Sequence, residues 1–111
     1  MLPKKNRVDK KGIDLLFKQS KLITSPSLTF KFILTEKNSV KKSPQISFIV
    51  PKNVAKLAVK RNTLRRRGYT ALGPYISQFP PNILGAFVFK KYQDDISILE
   101  DEIKKILSKI N

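Results

Sequence analysis

The sequence predicts an α+β fold in which helices pack on a four-stranded, mostly antiparallel sheet. Three observations indicate this class. Residues 27–36 alternate apolar and polar side chains, as a half-buried strand does, and residues 94–110 repeat apolar residues at helical spacing. Between them, Asn53 to about Leu72 contains no proline and many good helix formers. The predicted order of elements is α-β-β-β-α-β-α.

The N-terminal part of the chain predicts a short helix and then a short strand. Residues 9–19 place Ile13, Leu16 and Phe17 at offsets of three and four, the spacing of a helix with one buried stripe. A strand is expected at about Lys21 to Thr24, because Ser25-Pro26 after it is typical of a turn.

Three longer strands follow from the alternation and from the turn residues around it. The strand at residues 27–36 turns four apolar side chains to one face, and these are Leu28, Phe30, Phe32 and Leu34. Residues 37–44 are polar and predict a loop. The third strand begins at Gln45 and ends at Pro51, and the fourth is predicted at Ile83 to Phe89.

Capping signals bound the two longer helices. Asn53 is a predicted N-cap for the central helix, Gly73-Pro74 closes or kinks it, and one more turn is expected at Tyr75 to Phe79. The last helix, about Asp94 to Ile110, has its acids in the N-terminal half and lysines near its end, which suits the helix dipole. Its predicted buried stripe is Ile96, Leu99, Ile103, Ile106 and Ile110.

Length and composition favour one folded domain over residues 1–111. A chain of 111 residues is enough for a single core, and 41% hydrophobic with 28% charged residues is close to the globular average. There is no apolar run of about 18 residues and no signal-peptide pattern at the N-terminus. The expected location is therefore the cytoplasm.

The charge is the unusual property of this sequence. The net charge is +15, and 20 of the 23 basic residues but only three of the eight acids precede residue 94. A small domain carries such a surplus at a cost in self-repulsion, which a polyanionic partner relieves. The alternative, a cationic surface kept for solubility, needs much less charge.

The chain has no histidine and no cysteine, which excludes whole classes of site. Disulfides, thiolate metal sites and His-based triads are ruled out, and so are the usual zinc hydrolase ligands. Carboxylates could in principle bind a metal ion, but the C-terminal acids are interpreted as ordinary helix surface. No metal site in the protein is predicted.

The central helix carries the densest chemistry. On a helical wheel, one arc predicted to face the core holds Val54, Leu57, Ala58, Leu64 and Gly68, and the opposite side holds Lys52, Lys56, Lys60 and Arg67. Arg61 and Arg65 fall inside the apolar arc, where unpaired guanidinium groups would be costly. Either the helix runs past the edge of the core after about Val59, or these arginines face a groove that RNA fills.

Both explanations leave the cations accessible, and Arg fits phosphate with two parallel hydrogen bonds. The alternative is a solvated cationic face without a partner. The predicted RNA-binding residues are Lys52, Lys56, Lys60, Arg61, Asn62, Arg65, Arg66 and Arg67.

The segment Ala58 to Arg67 resembles the signature of the bacterial ribonuclease P protein family, an Arg-Asn-Arg sequence followed by further basic residues. The lead-in Phe48 to Val54 is similar to the strand and basic turn that open the family's central helix. The opening Asn6-Arg7-Val8, with Ile13 and Phe17 after it, is also similar to that family. Thr63 departs from the pattern by standing where the second Arg of the signature is expected.

Two smaller departures accompany it. Ala55 stands near a position that is usually Gly, and the segment between Val54 and Arg61 is one residue longer than the usual pattern.

The resemblance implies a left-handed β-α-β crossover through the central helix. It also implies a protein subunit that joins a catalytic RNA and helps remove 5′ leaders from precursor tRNA, with Mg²⁺ bound mainly by the RNA performing the cleavage. The protein itself would have no catalytic residues and would be monomeric apart from RNA. A cleft between sheet and first helix would hold the single-stranded leader.

For that cleft the predicted residues are Ile13, Phe17 and Phe30, with Lys52 nearby, because aromatic rings stack on unpaired bases. Phe17 and Phe30 also sit on apolar stripes, so a core role is the alternative for both.

Three other functions compete with this prediction. A ribosomal-type structural RNA-binding protein would share the charge and size without a role in processing. A DNA-binding module would need helix-turn-helix spacing or a dimer seam, and a protein nuclease would need a general base or metal cluster; the sequence shows neither.

Overall fold

The computed structural model of the chain describes residues 20–34 and 44–110. The predicted first helix, with Ile13 and Phe17, and most of the predicted loop after the second strand lie outside these residues. The described elements are strands β1 (Lys21–Thr24), β2 (Leu28–Leu34) and β3 (Gln45–Ile49), helix α1 (Ala58–Leu72), a 3-10 helix (Gly73–Gln78), strand β4 (Ile83–Phe89) and helix α2 (Ile96–Ile110). Their order is the predicted one.

The four strands form one mixed sheet in the order β1-β2-β4-β3. β1 pairs with β2 and β2 with β4 in antiparallel fashion, while β3 and β4 are parallel. A parallel pair needs a crossover connection, and here α1 and the 3-10 helix supply it. The predicted mostly antiparallel sheet is therefore confirmed, and the left hand of the crossover stays a prediction.

The main core lies between one face of this sheet and the two helices. Register places Phe87 of β4 between Phe30 and Phe48 of its neighbours, and the ring centroids lie 4.3 and 5.1 Å apart in stacked geometry. Gly85 makes room for the Phe30 ring, because a Cβ there would come within 2.5 Å of it. Close ring packing and this glycine together fix the register of β2 against β4.

The opposite face of the sheet carries a second, smaller apolar cluster. Leu84 and Ala86 are buried there, and Ile33 and Ile49 pack against them. The two faces of the sheet are thus distinct. The helices α1 and α2 cover the first face, and the second face carries the separate, smaller cluster. Leu34 is 50% exposed, so the apolar stripe predicted for β2 ends at Phe32.

The central helix begins later than predicted. Asn53 is not its N-cap: residues 52–54 form a turn in which Val54 N and Ala55 N both donate to Pro51 O, at 3.0 and 3.2 Å. The cap position is Leu57, which is 65% exposed. Because residues 53–57 are not helical, the predicted apolar arc is wrong at Leu57 and Ala58, whereas Leu64 and Gly68 are buried as predicted.

The last helix confirms its predicted stripe but corrects one residue. Asp95 Oδ1 accepts hydrogen bonds from Ser97 N and Ile98 N, which starts the helix at Ile96. Glu102, predicted to be ordinary surface, is 5% exposed. Its Oε1 accepts from Ser25 Oγ at 2.5 Å and from Ser27 N at 2.7 Å, so it fastens the β1–β2 turn to α2.

Within the described ranges, no helix is long and apolar enough to cross a membrane.

Candidate nucleic-acid interface

The turn before α1 is held against that helix by Arg61. Its Nη1 donates to Ala55 O at 3.0 Å and to Lys56 O at 2.7 Å. The side chain is half-buried, and its charge is met by backbone carbonyls. Val59, two residues earlier, is 73% exposed, and the buried residues of α1 begin only at Leu64. The helix therefore lies outside the core at its start, and the prediction that it leaves the core after about Val59 is wrong. Arg61 therefore positions the basic turn rather than projecting from it.

Arg65 is the second arginine on the core-facing side, and it too is half-buried. Its Nη2 donates to Asn62 Oδ1, three residues earlier on the exposed edge of α1. The amide oxygen of Asn62 is thereby engaged, and its amide nitrogen remains the group that can donate to an acceptor. The pair joins a cation and a hydrogen-bond donor at one edge of the helix.

The outward side of α1 presents cations directly to solvent. Lys60, Arg66 and Arg67 are all exposed, and Lys52 and Lys56 are exposed on the preceding turn. Considering only the described parts of the chain, no carboxylate forms an ion pair with Arg66 or Arg67. We call Lys60, Arg66 and Arg67 together with this turn (residues 51–57) the basic surface.

Charge on the basic surface is one-sided because α1 contains five cations and no acid. Like charges at helical spacing repel each other and destabilise the helix slightly. The acids of the C-terminal part lie elsewhere, at residues 94–95 before α2 and on α2 itself. The arrangement suits phosphate groups, which supply the missing negative charge and accept several hydrogen bonds at once.

The structure brings the predicted RNA-binding residues together along one segment, but with different roles. Six of the eight are exposed, and Arg61 and Arg65 are the two half-buried ones. The prediction for Phe30 is wrong, because its ring is 0% exposed and packs between Phe32 and Phe87 in the core. Ile13 and Phe17 lie outside the described residues, and their assignment to a leader cleft stays a prediction.

Sequence reasoning missed the neighbours of these cations. Thr63 and Thr70 share the outward side of α1 with Arg66 and Arg67 and line a groove there. The signal was available, since positions 63, 66, 67 and 70 follow the i, i+3, i+4, i+7 spacing of one helix face. The described residues contain no cluster of three or more acidic, His or Cys side chains that could hold a metal ion.

The sequence model of the family described as Ribonuclease P matches residues 2–111. The chain belongs to the ribonuclease P protein family. Membership of this family makes the chain a protein subunit of a ribonuclease P holoenzyme, as the motif at Ala58 to Arg67 predicted.

Solved structures of ribonuclease P proteins share the fold. The protein from Thermotoga maritima is 15% identical with a TM-score of 0.78, over 95% of this chain and 97% of that one. A Staphylococcus aureus structure is 10% identical with a TM-score of 0.77, over 96% and 95% of the two chains. A second S. aureus structure is 16% identical with a TM-score of 0.66, over 97% and 92%. The search of curated proteins found no match.

Proposed function

We propose that the chain binds the catalytic RNA of ribonuclease P through the basic surface and promotes removal of the 5′ leader from precursor tRNA. The proposal rests on the exposed cations of α1 in a chain of this family. Among the described residues, no acid forms an ion pair with Arg66 or Arg67. In an isolated helix these like charges would be destabilising. Binding to an RNA backbone offsets their repulsion and releases counterions.

In this proposal the protein binds and orients, and Mg²⁺ held by the RNA supplies the chemistry of phosphodiester hydrolysis. The sequence offers neither histidine nor cysteine for acid–base or nucleophilic work. We assign no protein residue to the metal ion, because the acids of the described chain do not form a cluster that could hold it. The role of the basic surface is instead to neutralise phosphate groups of the catalytic RNA and so to support the folded RNA.

The leader, if it binds against the sheet, must use the face opposite to α1 and α2. The first face is filled by Phe30, Phe48 and Phe87, which are 0–3% exposed. The second face carries Lys31 on β2, a cation beside apolar neighbours such as Ile33. Together with the predicted Ile13 and Phe17, such a face would suit stacked, unpaired bases along a positive track.

The test is cleavage of a precursor tRNA by the cognate catalytic RNA at low Mg²⁺, with and without the full chain in slight excess. We expect a clear gain in cleavage at the leader junction, no cleavage by protein alone, and a smaller gain in binding for leaderless tRNA. Tight RNA binding without any gain in cleavage would contradict the proposal and support the ribosomal-type structural alternative.

A further inference from the structure

A groove of about 350 Å³ lies on the outward side of α1, next to the start of α2. Thr63, Arg66, Arg67 and Thr70 line it from α1, and Ile96 closes it from α2. Thr63 contributes to its shape because its side chain is short at a position where the signature predicts an arginine. Residues 63 and 70 are two helical turns apart, about 10.5 Å, so the groove is longer than one small ion.

Both threonine hydroxyls have already used their only hydrogen. Thr63 Oγ1 donates to Val59 O at 3.0 Å, and Thr70 Oγ1 donates to Arg66 O at 2.9 Å. A hydroxyl has one hydrogen and two lone pairs, so while these two bonds are kept each threonine can still accept a hydrogen bond but not give one. Arg66 and Arg67 have the opposite character, since guanidinium groups donate and never accept.

A matching ligand must therefore offer acceptors with negative charge and hydroxyl donors side by side. Phosphate oxygens provide the first, and in nucleic acids only the ribose 2′-hydroxyl of RNA provides the second along the backbone. Paired RNA displays these hydroxyls together with its phosphates across a wide, shallow minor groove, which an exposed helix side can approach.

We infer that this groove binds the ribose–phosphate backbone of paired RNA, with Thr63 and Thr70 accepting hydrogen bonds from 2′-hydroxyls while Arg66 and Arg67 donate to phosphate oxygens. This inference rests on the proposed function and refines it. The basic surface then recognises the 2′-hydroxyl groups of RNA as well as its negative charge.

The experiment compares the affinity of the full chain for a short RNA duplex and for the same duplex with 2′-fluoro riboses, at low and moderate salt. Fluorine keeps the A-form geometry but removes the donor hydrogen. Two hydrogen bonds of ordinary net strength predict a Kd about thirtyfold weaker for the 2′-fluoro duplex. This comparison needs no variant, so folding cannot confound it.

The double variant Thr63→Val/Thr70→Val assigns the effect to the groove. It should bind both duplexes equally, because Val keeps the branched shape without lone pairs. Ser108→Ala is the matched control: Ser108 is exposed on α2, and its Oγ likewise donates to a backbone carbonyl, Lys105 O at 2.7 Å. The control should keep the wild-type ratio.

Equal binding of both duplexes by the wild-type chain, with steep salt dependence, would overturn the inference and leave the proposed RNA binding intact. Binding of neither duplex and of no catalytic RNA would overturn both. A 2′-fluoro effect that persists in the double variant would overturn the assignment to this groove. An effect that occurs only with single-stranded RNA would overturn the assignment to paired RNA.

Discussion

The two α-helices in the described part of the chain have the same length and pack on the same face of the sheet, yet their residues follow different rules. α2 has 15 residues, with three acids balancing three lysines, and buried positions from Leu99 to Leu107. α1 also has 15 residues, but its cations have no acid beside them and no residue before Leu64 is buried. Packing in the core accounts for nearly every residue type in α2, but in α1 it accounts only for the residues of the C-terminal half.

This difference separates what the fold requires from what it tolerates. An amphipathic helix is stabilised mainly by its buried face, and α2 has such a face along its whole length. The first half of α1 buries little and carries charges that repel. Residues that weaken a helix and fill no core are best explained by a partner outside the chain, which is why the basic surface and not α2 is proposed as the RNA contact.

Removing Glu102 should have the largest effect on folding, because α2 holds the β1–β2 turn through it. We expect Glu102→Ala to lower the free energy of unfolding by about 2–3 kcal/mol, since the buried Ser27 N loses its acceptor. Urea denaturation measures this. Glu102→Gln, which keeps an acceptor oxygen, should retain most of the stability, and exposed Asp101→Ala should change it by less than about 0.5 kcal/mol. A Glu102→Ala variant of unchanged stability would show that α2 does not hold the β1–β2 turn through Glu102.

Gly68→Ala tests whether the second half of α1 belongs to the core as α2 does. A Cβ at Gly68 would lie 2.6 Å from two ring atoms of Phe48. Overpacking of this kind should cost about 2 kcal/mol in thermal or urea unfolding. Adding Phe48→Leu should make the loss less than additive, whereas Arg67→Ala on the exposed side should be nearly neutral. Simple additivity would show that the contact is not the cause.

Arg61→Ala should have the smallest effect, confined to the boundary between the basic turn and α1. Loss of its hydrogen bonds to Ala55 O and Lys56 O should speed hydrogen exchange at the Val54 and Ala55 amides by about tenfold, which corresponds to about 1.4 kcal/mol. Arg66→Ala removes the same charge from the exposed side and should leave these amides unchanged. Equal exchange in both variants would mean that Arg61 does not position the turn.

Periodicity predicted β2 and α2 because each of them buries one continuous face. The bounds of β1 follow instead from the turn residues Ser25-Pro26, because β1 is mostly exposed, and β4 shows no alternation because it is buried on both faces. Alternation did not show which face of the sheet the helices fill, so Phe30 was predicted to line a cleft although it is core. Facing is set by contacts between distant strands, which local spacing does not contain.

The candidate site was predictable in its charges and not in its hydrogen bonds. Composition and the signature at residues 58–67 indicated the cations. The hydrogen bonds of Arg61 to the carbonyls of residues 55 and 56 depend on where the helix begins, and the predicted N-cap at Asn53 placed that start before the observed N-cap, Leu57. Burial of Glu102 was missed because its partners, Ser25 and Ser27, are more than 70 residues away in sequence.

Matched charge removals on the two helices test most directly whether α1 is the RNA-binding helix. Lys60→Gln/Arg66→Gln/Arg67→Gln on α1 and Lys104→Gln/Lys105→Gln/Lys109→Gln on α2 each remove three exposed cations. Affinity for the catalytic RNA is measured from low to moderate salt for both variants and for the wild type. The α1 variant should lose about 0.7–0.9 of salt slope per phosphate contact, up to about 2–3 in total, while the α2 variant keeps the wild-type slope. Equal losses in both variants would contradict the claim that α1 is the RNA-binding helix.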